Sequence, residues 1–494
     1  MQTVKLTRSL KGLGVLGTAG ALSLTLLAGS AHAAQPGGVA CQATDGKISG
    51  RGATFAKQAW QLFITSYRDD VCGAVADVSG TASLKNSRPD DPAGTSMLAY
   101  NYTNSQTGSG QGRTSQLCRT DAWGGSDGPY SNSQLTSMNG APSPAASCPS
   151  AFGSTVSPFL QGPFPNVGDA TANIMSFPIA GSANVVAVNL TGAACPGGPA
   201  PVTLQFTAAM VDGLFDGRIL TWSDPVLRAG GLNANLANCT TPVLRRVRSD
   251  DSGTTQIQKN YLAKVDPNSP GCDGLATTSW LTLRNAAAPN NAWPNLPQAA
   301  SGSAGVPSSA AATATCSAIS SHDGNPGVAG AVNTTSGAVG YIDVADATTL
   351  APNAIQAAVR NQTDTAFIDP ATGTTANCNF TPVQAPPGIN GAVGLAAGDT
   401  WSNNNAGLVR SDVTNDGPGY PICGMTFALV FTGLSGAPGG TAISGLTNNQ
   451  RRTLYSFMSY VLSNVAQDKL TSAFYQRLPG GLANTIRRGF QANF

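Results

Sequence analysis

Histidine is almost missing from this chain. Its 494 residues contain two, and only His322 lies beyond the N-terminal export segment described below. Serine–histidine triads and multi-histidine metal centres would both depend on that single imidazole, so the usual hydrolytic machinery is absent. His322 itself sits in Ser321-His322-Asp323-Gly324-Asn325-Pro326, which reads as a solvated loop. Charge is scarce as well. Lys, Arg, Asp and Glu make up 11% of the residues and the formal net charge is +2, which leaves no basic footprint for nucleic acid. The ten cysteines contain no C-x-x-C pair, and the common zinc and redox patterns go with it. No cofactor is expected.

What is present begins with an export signal. Lys5, Arg8 and Lys11 form a basic start, Leu13 to Leu27 an apolar stretch, and Ala31-His32-Ala33 a small-x-small cleavage site. The apolar stretch is short and broken by Gly14, Gly17 and Gly20, which argues against a membrane anchor. Residues 1–33 are therefore expected to be removed. Cys41 is a poor lipid-attachment site, so the protein is expected to be exported without a lipid anchor, to a periplasm or the medium. All ten cysteines lie after the cleavage site, and an even number at an exported address argues for disulfides rather than metal. The length exceeds what one small core can organise, so two or more lobes are expected.

Strand and helix patterns alternate without a repeat, which favours an α/β fold. Ala56, Trp60, Phe63 and Ile64 have helical spacing. Buried strands are read at Asn184–Asn189, Val243–Val247, Ala338–Ile342 and Tyr420–Val430. Leu454, Phe457, Met458, Val461, Leu462 and Val465 mark one face of a helix near the end, and a last helix follows Pro479. Residues 85–107, 128–170, 286–320 and 370–418 are polar tracts that read as loops or insertions.

The most informative stretch is Arg248-Ser249-Asp250-Asp251-Ser252-Gly253-Thr254-Thr255, between a short strand and a helix. Hydroxyl residues and a glycine at such a turn gather backbone N–H groups, side-chain hydroxyls and the positive end of a helix dipole at one point. Arg248 stands ready to fork onto an oxyanion. An ordinary serine N-cap explains the same loop equally well when it is taken alone. Three further turns could join it: Gly52-Ala53-Thr54-Phe55, Gly108-Ser109-Gly110-Gln111-Gly112 and Gly124-Gly125-Ser126-Asp127-Gly128-Pro129. In the last, a carboxylate faces an anion seat, where like charges repel. It becomes sensible if the ligand carries a proton, because an ionised Asp127 can accept it. Fully ionised sulfate has no proton to offer and would be rejected.

The collinear order of these turns, together with Phe177-Pro178, Leu214-Phe215-Asp216-Gly217-Arg218-Ile219-Leu220-Thr221-Trp222, Gly327-Val328, Gly337–Tyr341 and Tyr420-Pro421-Ile422, resembles the phosphate-binding proteins of phosphate-specific ABC transporters. The resemblance spans about residues 48 to 480. It implies a two-lobed, hinged periplasmic-binding-protein fold of type II, each lobe a central sheet flanked by helices, closing on one phosphate. The first lobe would comprise residues 46–189 and 419–494, and the second residues 190–418.

Carried over position by position, Thr54 and Phe55 would contact the ligand at a helix start, Phe55 through its backbone N–H. Ser109 would offer a hydroxyl and Asp127 would accept the ligand's proton. Arg248 would pair with the anion, and Ser252, Gly253 and Thr254 would bind through N–H and hydroxyl groups. Asp250 would hold Arg248 by charge. The chain departs from the family's pattern at Asp251, where glycine is common, at Arg51 and Ala56, and at Gly110-Gln111-Gly112-Arg113. The implied function is a non-catalytic, exported phosphate receptor, expected to be a monomer that delivers to an ABC transporter permease. A secreted phosphohydrolase on the same scaffold, and a phosphate scavenger or adhesin without a permease, are the alternatives.

Overall fold

The computed structural model describes residues 48–72, 98–102, 108–117, 121–129, 173–193, 203–268, 309–381, 413–432 and 448–493, with isolated positions between 272 and 293 and between 383 and 389. Residues 1–33, expected from the sequence to be an export signal, lie outside the described residues. One ten-stranded sheet organises the chain. Its strands are β1 (Ile48–Gly52), β2 (Leu98–Asn101), β3 (Trp123–Ser126), β4 (Asn173–Asn189), β5 (Leu244–Arg248), β6 (Ser309–Ala310), β7 (Ala318–His322), β8 (Ala338–Asp343), β9 (Ile355–Gln356) and β10 (Cys423–Thr432). They follow the order β2-β1-β3-β10-β4-β8-β5-β7-β6, with β9 paired to β4.

The long β4 joins two halves of this sheet. Residues 173–183 of it pair antiparallel with β10, and residues 184–189 pair antiparallel with β8. Within each half the inner strands are parallel: β1 with β2 and β3, and β5 with β7 and β8. Parallel strands are covered on both faces, and β1 and β8 are buried along their whole length although β1 is rich in glycine and polar residues. The register of β4 against β10 shifts between Thr426 and Phe427, where Phe427 opposes Pro178. Proline cannot donate to the ladder, and an irregularity of this kind accommodates it inside a strand.

Helices pack on the sheet by the faces their sequences mark. In α1 (Lys57–Cys72), Trp60, Phe63, Ile64 and Tyr67 are fully buried. Trp60 lies against Tyr100, Trp123 and Phe457 with ring centroids 5.6–6.1 Å apart. Beside the other half, Trp293 stacks on Tyr341 and meets Trp280. The remaining helices used below are α2 (Ser109–Leu117), α3 (Ala208–Phe215), α4 (Gly253–Val265), α5 (Gly324–Thr334), α6 (Val344–Leu350), α7 (Asn448–Val461), α8 (Asn464–Lys469) and α9 (Gly480–Asn493). Thr207 caps α3 by accepting from the Met210 N–H.

Several sequence readings need correction. The tract 85–107 contains the buried strand Leu98–Asn101, and the tract 286–320 ends in β6 and β7. Short strands Ala371–Thr372 and Thr375–Ala376 form a hairpin inside the tract 370–418. The periodic helix near the end stops at Val461; Ser463 caps a new helix, and Val465 is left 44% exposed. His322 is not a loop residue. It ends β7, half-buried, with Nε2 2.9 Å from the Ser320 hydroxyl, and burial lowers its pKa, helped by the Arg246 charge.

Cysteine chemistry follows the expectation of disulfides: Cys272 is bonded to Cys316 and Cys378 to Cys423, and Cys239 is also disulfide-bonded. Among the described residues no cluster of His, Cys, Asp and Glu is placed to hold a metal ion, and no helix is long and apolar enough to cross a membrane.

Candidate functional site

Two groups of loops meet where β1, β3 and β5 end. On one side the chain leaves β1 at Gly52 and runs through Thr54 and Phe55 into α1. Glycine is required here because the backbones touch. A Cβ on Gly52 or on Gly112 of α2 would lie 2.0 Å from the Gly125 carbonyl oxygen. The three glycine turns read separately in the sequence are thus packed on one another. That packing delivers Ser109, the first residue of α2, to Asp127. The Ser109 hydroxyl accepts from the Asp127 N–H at 2.8 Å and donates to Asp127 Oδ2 at 3.3 Å. Thr426 of β10 donates to the other carboxylate oxygen at 3.1 Å.

On the other side, β5 ends at Arg248 and Ser252 caps α4. The Ser252 backbone is extended, and its hydroxyl accepts from the Thr255 N–H at 3.1 Å. The bland N-cap reading is therefore correct as far as it goes. The cap also brings Gly253 against the first group. A Cβ on Gly253 would lie 2.3 Å from the Ser109 hydroxyl oxygen and 2.6 Å from the Asp127 Cβ. Any larger residue would push the two groups of loops apart.

Arg248 is 2% exposed and thoroughly bonded. Its Nε donates to Asp250 Oδ1 at 2.6 Å, and its Nη2 pairs with Asp250 Oδ2. Nη1 reaches the Thr254 hydroxyl at 3.2 Å and Asn325 Oδ1 at 2.9 Å. Asp250 in turn accepts from the Gly324 N–H at 3.1 Å. The Arg248 backbone N–H donates to the Tyr341 hydroxyl, which also meets Thr255. Burial alone would lower the Arg248 pKa, but the Asp250 charge and hydrogen bonds more than offset it and hold the pKa above the ordinary value.

Asn325, at the start of α5, connects the two sides. Its backbone N–H donates to Thr54 Oγ1 at 3.1 Å, its Oδ1 accepts from Arg248, and its Nδ2 donates to Asp343 Oδ2 at 2.7 Å. The sequence reading overlooked it, although Asp323-Gly324-Asn325 before an apolar periodic segment is a helix-start signal. Nearby, Lys57 of α1 donates to Asp346 of α6 at 2.8 Å, a second bond between the elements of the two sheet halves. Thr426, also overlooked, sat in view inside a strand whose register the sequence could not specify.

The structure thus joins Thr54 to Arg248 through Asn325, bonds Thr254 to Arg248, and brings Ser109, Asp127 and Gly253 into direct contact. Ser252 is fully buried beneath them as the cap of α4. Phe55 follows Thr54 with a buried ring, and its carbonyl accepts from the Tyr475 hydroxyl. Asp127 has an unusual charge state. Burial is the main cause that pushes its pKa up to about 7, against the hydrogen bond from Thr426, the Arg248 charge, the hydrogen bond from Ser109 and the Arg113 charge. A cavity of about 40 Å³ adjoins it, lined by Asp127, Gly128, Gln256, Asn260 and Thr414 among others.

Type II periplasmic-binding-protein architecture is the class these features define: an α/β sheet flanked by helices, with strand-to-helix turns converging on one polar point. The chain belongs to the PBP superfamily, matching the profile of the PBP superfamily domain over residues 99–464. Among curated proteins nothing matches. Solved structures resemble it more distantly. The high-affinity periplasmic phosphate-binding protein PfluDING, solved with bound phosphate, is 18% identical with a TM-score of 0.49, over 89% of this chain and 93% of that one. A phosphate-binding protein from Stenotrophomonas maltophilia is 16% identical with a TM-score of 0.49 over the same shares of the two chains. A human phosphate-binding apolipoprotein has the same identity, score and coverage.

Proposed function

We propose that this protein is an exported receptor for inorganic phosphate, which it binds without turnover between two lobes and delivers to an ABC transporter permease. The observation that carries the reading is Asp127: a buried carboxylate set into a wall otherwise made of hydroxyls, helix starts and a guanidinium. Such a wall suits a tetrahedral oxyanion, and the carboxylate suits one that still holds a proton. Thr54, Ser109, Ser252, Thr254 and the N–H groups of Phe55 and Gly253 would donate to the oxygens. Arg248 would add its charge, with Asp250 holding its guanidinium in place.

A pKa of about 7 at Asp127 adds a feature the sequence did not suggest. Phosphate's second ionisation also lies near neutrality. The complex holds one proton between carboxylate and ligand, and that proton can come from either. In acid, Asp127 and the ligand are both protonated and one proton must leave on binding. In base Asp127 is ionised and the ligand keeps one proton as HPO4, so the carboxylate accepts it with no net proton change. Affinity should therefore fall below neutral pH, approaching about tenfold per pH unit, and level off above it.

Isothermal titration of the purified protein with phosphate, arsenate and sulfate tests the function. Phosphate and arsenate should bind and sulfate should not. Sulfate binding as tight as phosphate, or no heat with phosphate, would reject the reading.

A further inference from the structure

Two charged residues beside the proposed anion seat, Asp251 and Arg113, meet each other. Asp251 places a second carboxylate in the loop between Arg248 and α4, one residue from the Ser252 cap. Arg113, on α2, reaches it: Nη2 lies 3.4 Å from both Asp251 carboxylate oxygens. The Arg113 side chain is 7% exposed and that of Asp251 31%. Arg113 Nη1 also donates to the Ser126 hydroxyl at 3.1 Å, beside Asp127. The backbone makes the same connection, since the Gly110 N–H donates to the Asp251 carbonyl at 3.0 Å. Room for this comes from the glycines of the α2 start: a Cβ on Gly110 would lie 1.9 Å from Asp251 Oδ2. Lys259, buried in α4, lies within charge range of Asp251 as well.

Resting on the phosphate reading above, we propose that Arg113 is the counter-charge that makes Asp251 tolerable at the anion site, and that the pair clasps the two walls of that site together. A carboxylate next to the Ser252–Thr254 seat repels an incoming dianion unless a cation neutralises it. The Arg113 guanidinium does so from the opposite wall. The ion pair is fully formed only when α2 and the α4 start are in contact, so it favours the arrangement in which Ser109, Asp127 and Gly253 touch. Arg113 and Asp251 thereby act as affinity-setting residues with no contact to the ligand required of either.

A double-substitution cycle tests this. In Arg113→Gln the Asp251 charge loses its ion-pair partner, and phosphate binding by calorimetry should weaken about five- to tenfold, more at low salt than at high salt. Asp251→Asn should cost about threefold or less, since it removes clasp and repulsion together. The distinguishing result is rescue: R113Q/D251N should bind more tightly than R113Q alone. A purely structural role for Arg113, through Ser126, would not be rescued by D251N. Unchanged affinity in R113Q, or a double variant no better than R113Q, would overturn the proposal. If the wild-type protein takes no phosphate, the functional reading falls, and the same cycle is read in thermal unfolding. There R113Q should lower the midpoint more than D251N does, with recovery in the double variant; strictly additive shifts would overturn the clasp.

Discussion

The two walls of the site handle charge in opposite ways. On the Arg248 wall the charge is settled internally. Asp250 takes two bonds from the guanidinium and one from the Gly324 N–H, while Thr254 and Asn325 fix the remaining side. On the Asp127 wall the carboxylate is bonded at its side-chain oxygens by the hydroxyls of Ser109 and Thr426. Neutral donors cannot offset the cost of its burial, and its pKa rises to about 7. The first wall is therefore suited to hold an anion in a fixed geometry at any physiological pH. The second is suited to sense whether that anion carries a proton.

Breaking the first wall should have the largest effect. Arg248→Ala leaves Asp250 buried without its partner, a type of loss that costs about 3–5 kcal/mol. We expect a lower unfolding midpoint and no measurable phosphate binding; full affinity in a folded Arg248→Ala protein would remove Arg248 from the site. Changing the second wall should separate binding from stability. Asp127→Asn should weaken phosphate binding by about 1.5–3 kcal/mol, the range of a hydrogen bond to a charged group, and relax the rejection of sulfate. The sign for stability is opposite. A raised carboxylate pKa gives stability that is present below the ordinary value and lost as pH rises through the folded value, here about 7. At pH 8 Asp127→Asn should therefore unfold at a higher temperature than the wild type when no ligand is present. A lower midpoint at that pH would contradict the burial argument.

Asn325→Ala probes the side-chain support of Arg248 and leaves the backbone bond to Thr54 in place. It leaves Asp343 without its Asn325 donor and removes one support of Arg248, so a loss of about 1–3 kcal/mol in stability is expected, with weaker phosphate binding measured by calorimetry. Unchanged values of both would show that neither Arg248 nor Asp343 depends on the Asn325 side chain. The effect at Lys259 is a change of slope confined to alkaline pH; burial lowers its pKa to about 7 against the Asp251 charge. The unfolded chain keeps the proton that the folded protein sheds between about pH 7 and the ordinary lysine value, so the stability of the wild type should rise over that interval. Lys259→Met should flatten this rise in thermal melts taken from neutral to alkaline pH; a slope identical to the wild type would place the charge elsewhere.

Much of the fold was legible because it follows local pattern. Trp60, Phe63 and Ile64 mark a helix face by spacing alone, and the strands near 184–189 and 338–343 are apolar runs of the right length. Leu98–Asn101 was not legible. It is four residues inside a polar tract, and it becomes a strand only by pairing with Ile48–Arg51. Asn325 was missed for a related reason: its importance comes from Thr54, Arg248 and Asp343, all distant in the chain.

Residue chemistry and turn order were determined by the sequence itself. The shortage of histidine, the glycine turns, the hydroxyl-rich helix start after Arg248 and the lone carboxylate at Asp127 can all be read without coordinates, because each depends on residue type and its near neighbours. Tertiary structure decided how charges are paired and how they titrate. That Asp251 faces Arg113, that Asp250 bonds Arg248, and that Asp127 lies deep enough for burial to raise its pKa to about 7 all depend on which strands and helices come together. Desolvation and Coulomb energies are set by distance and burial in space, and a sequence lists neither.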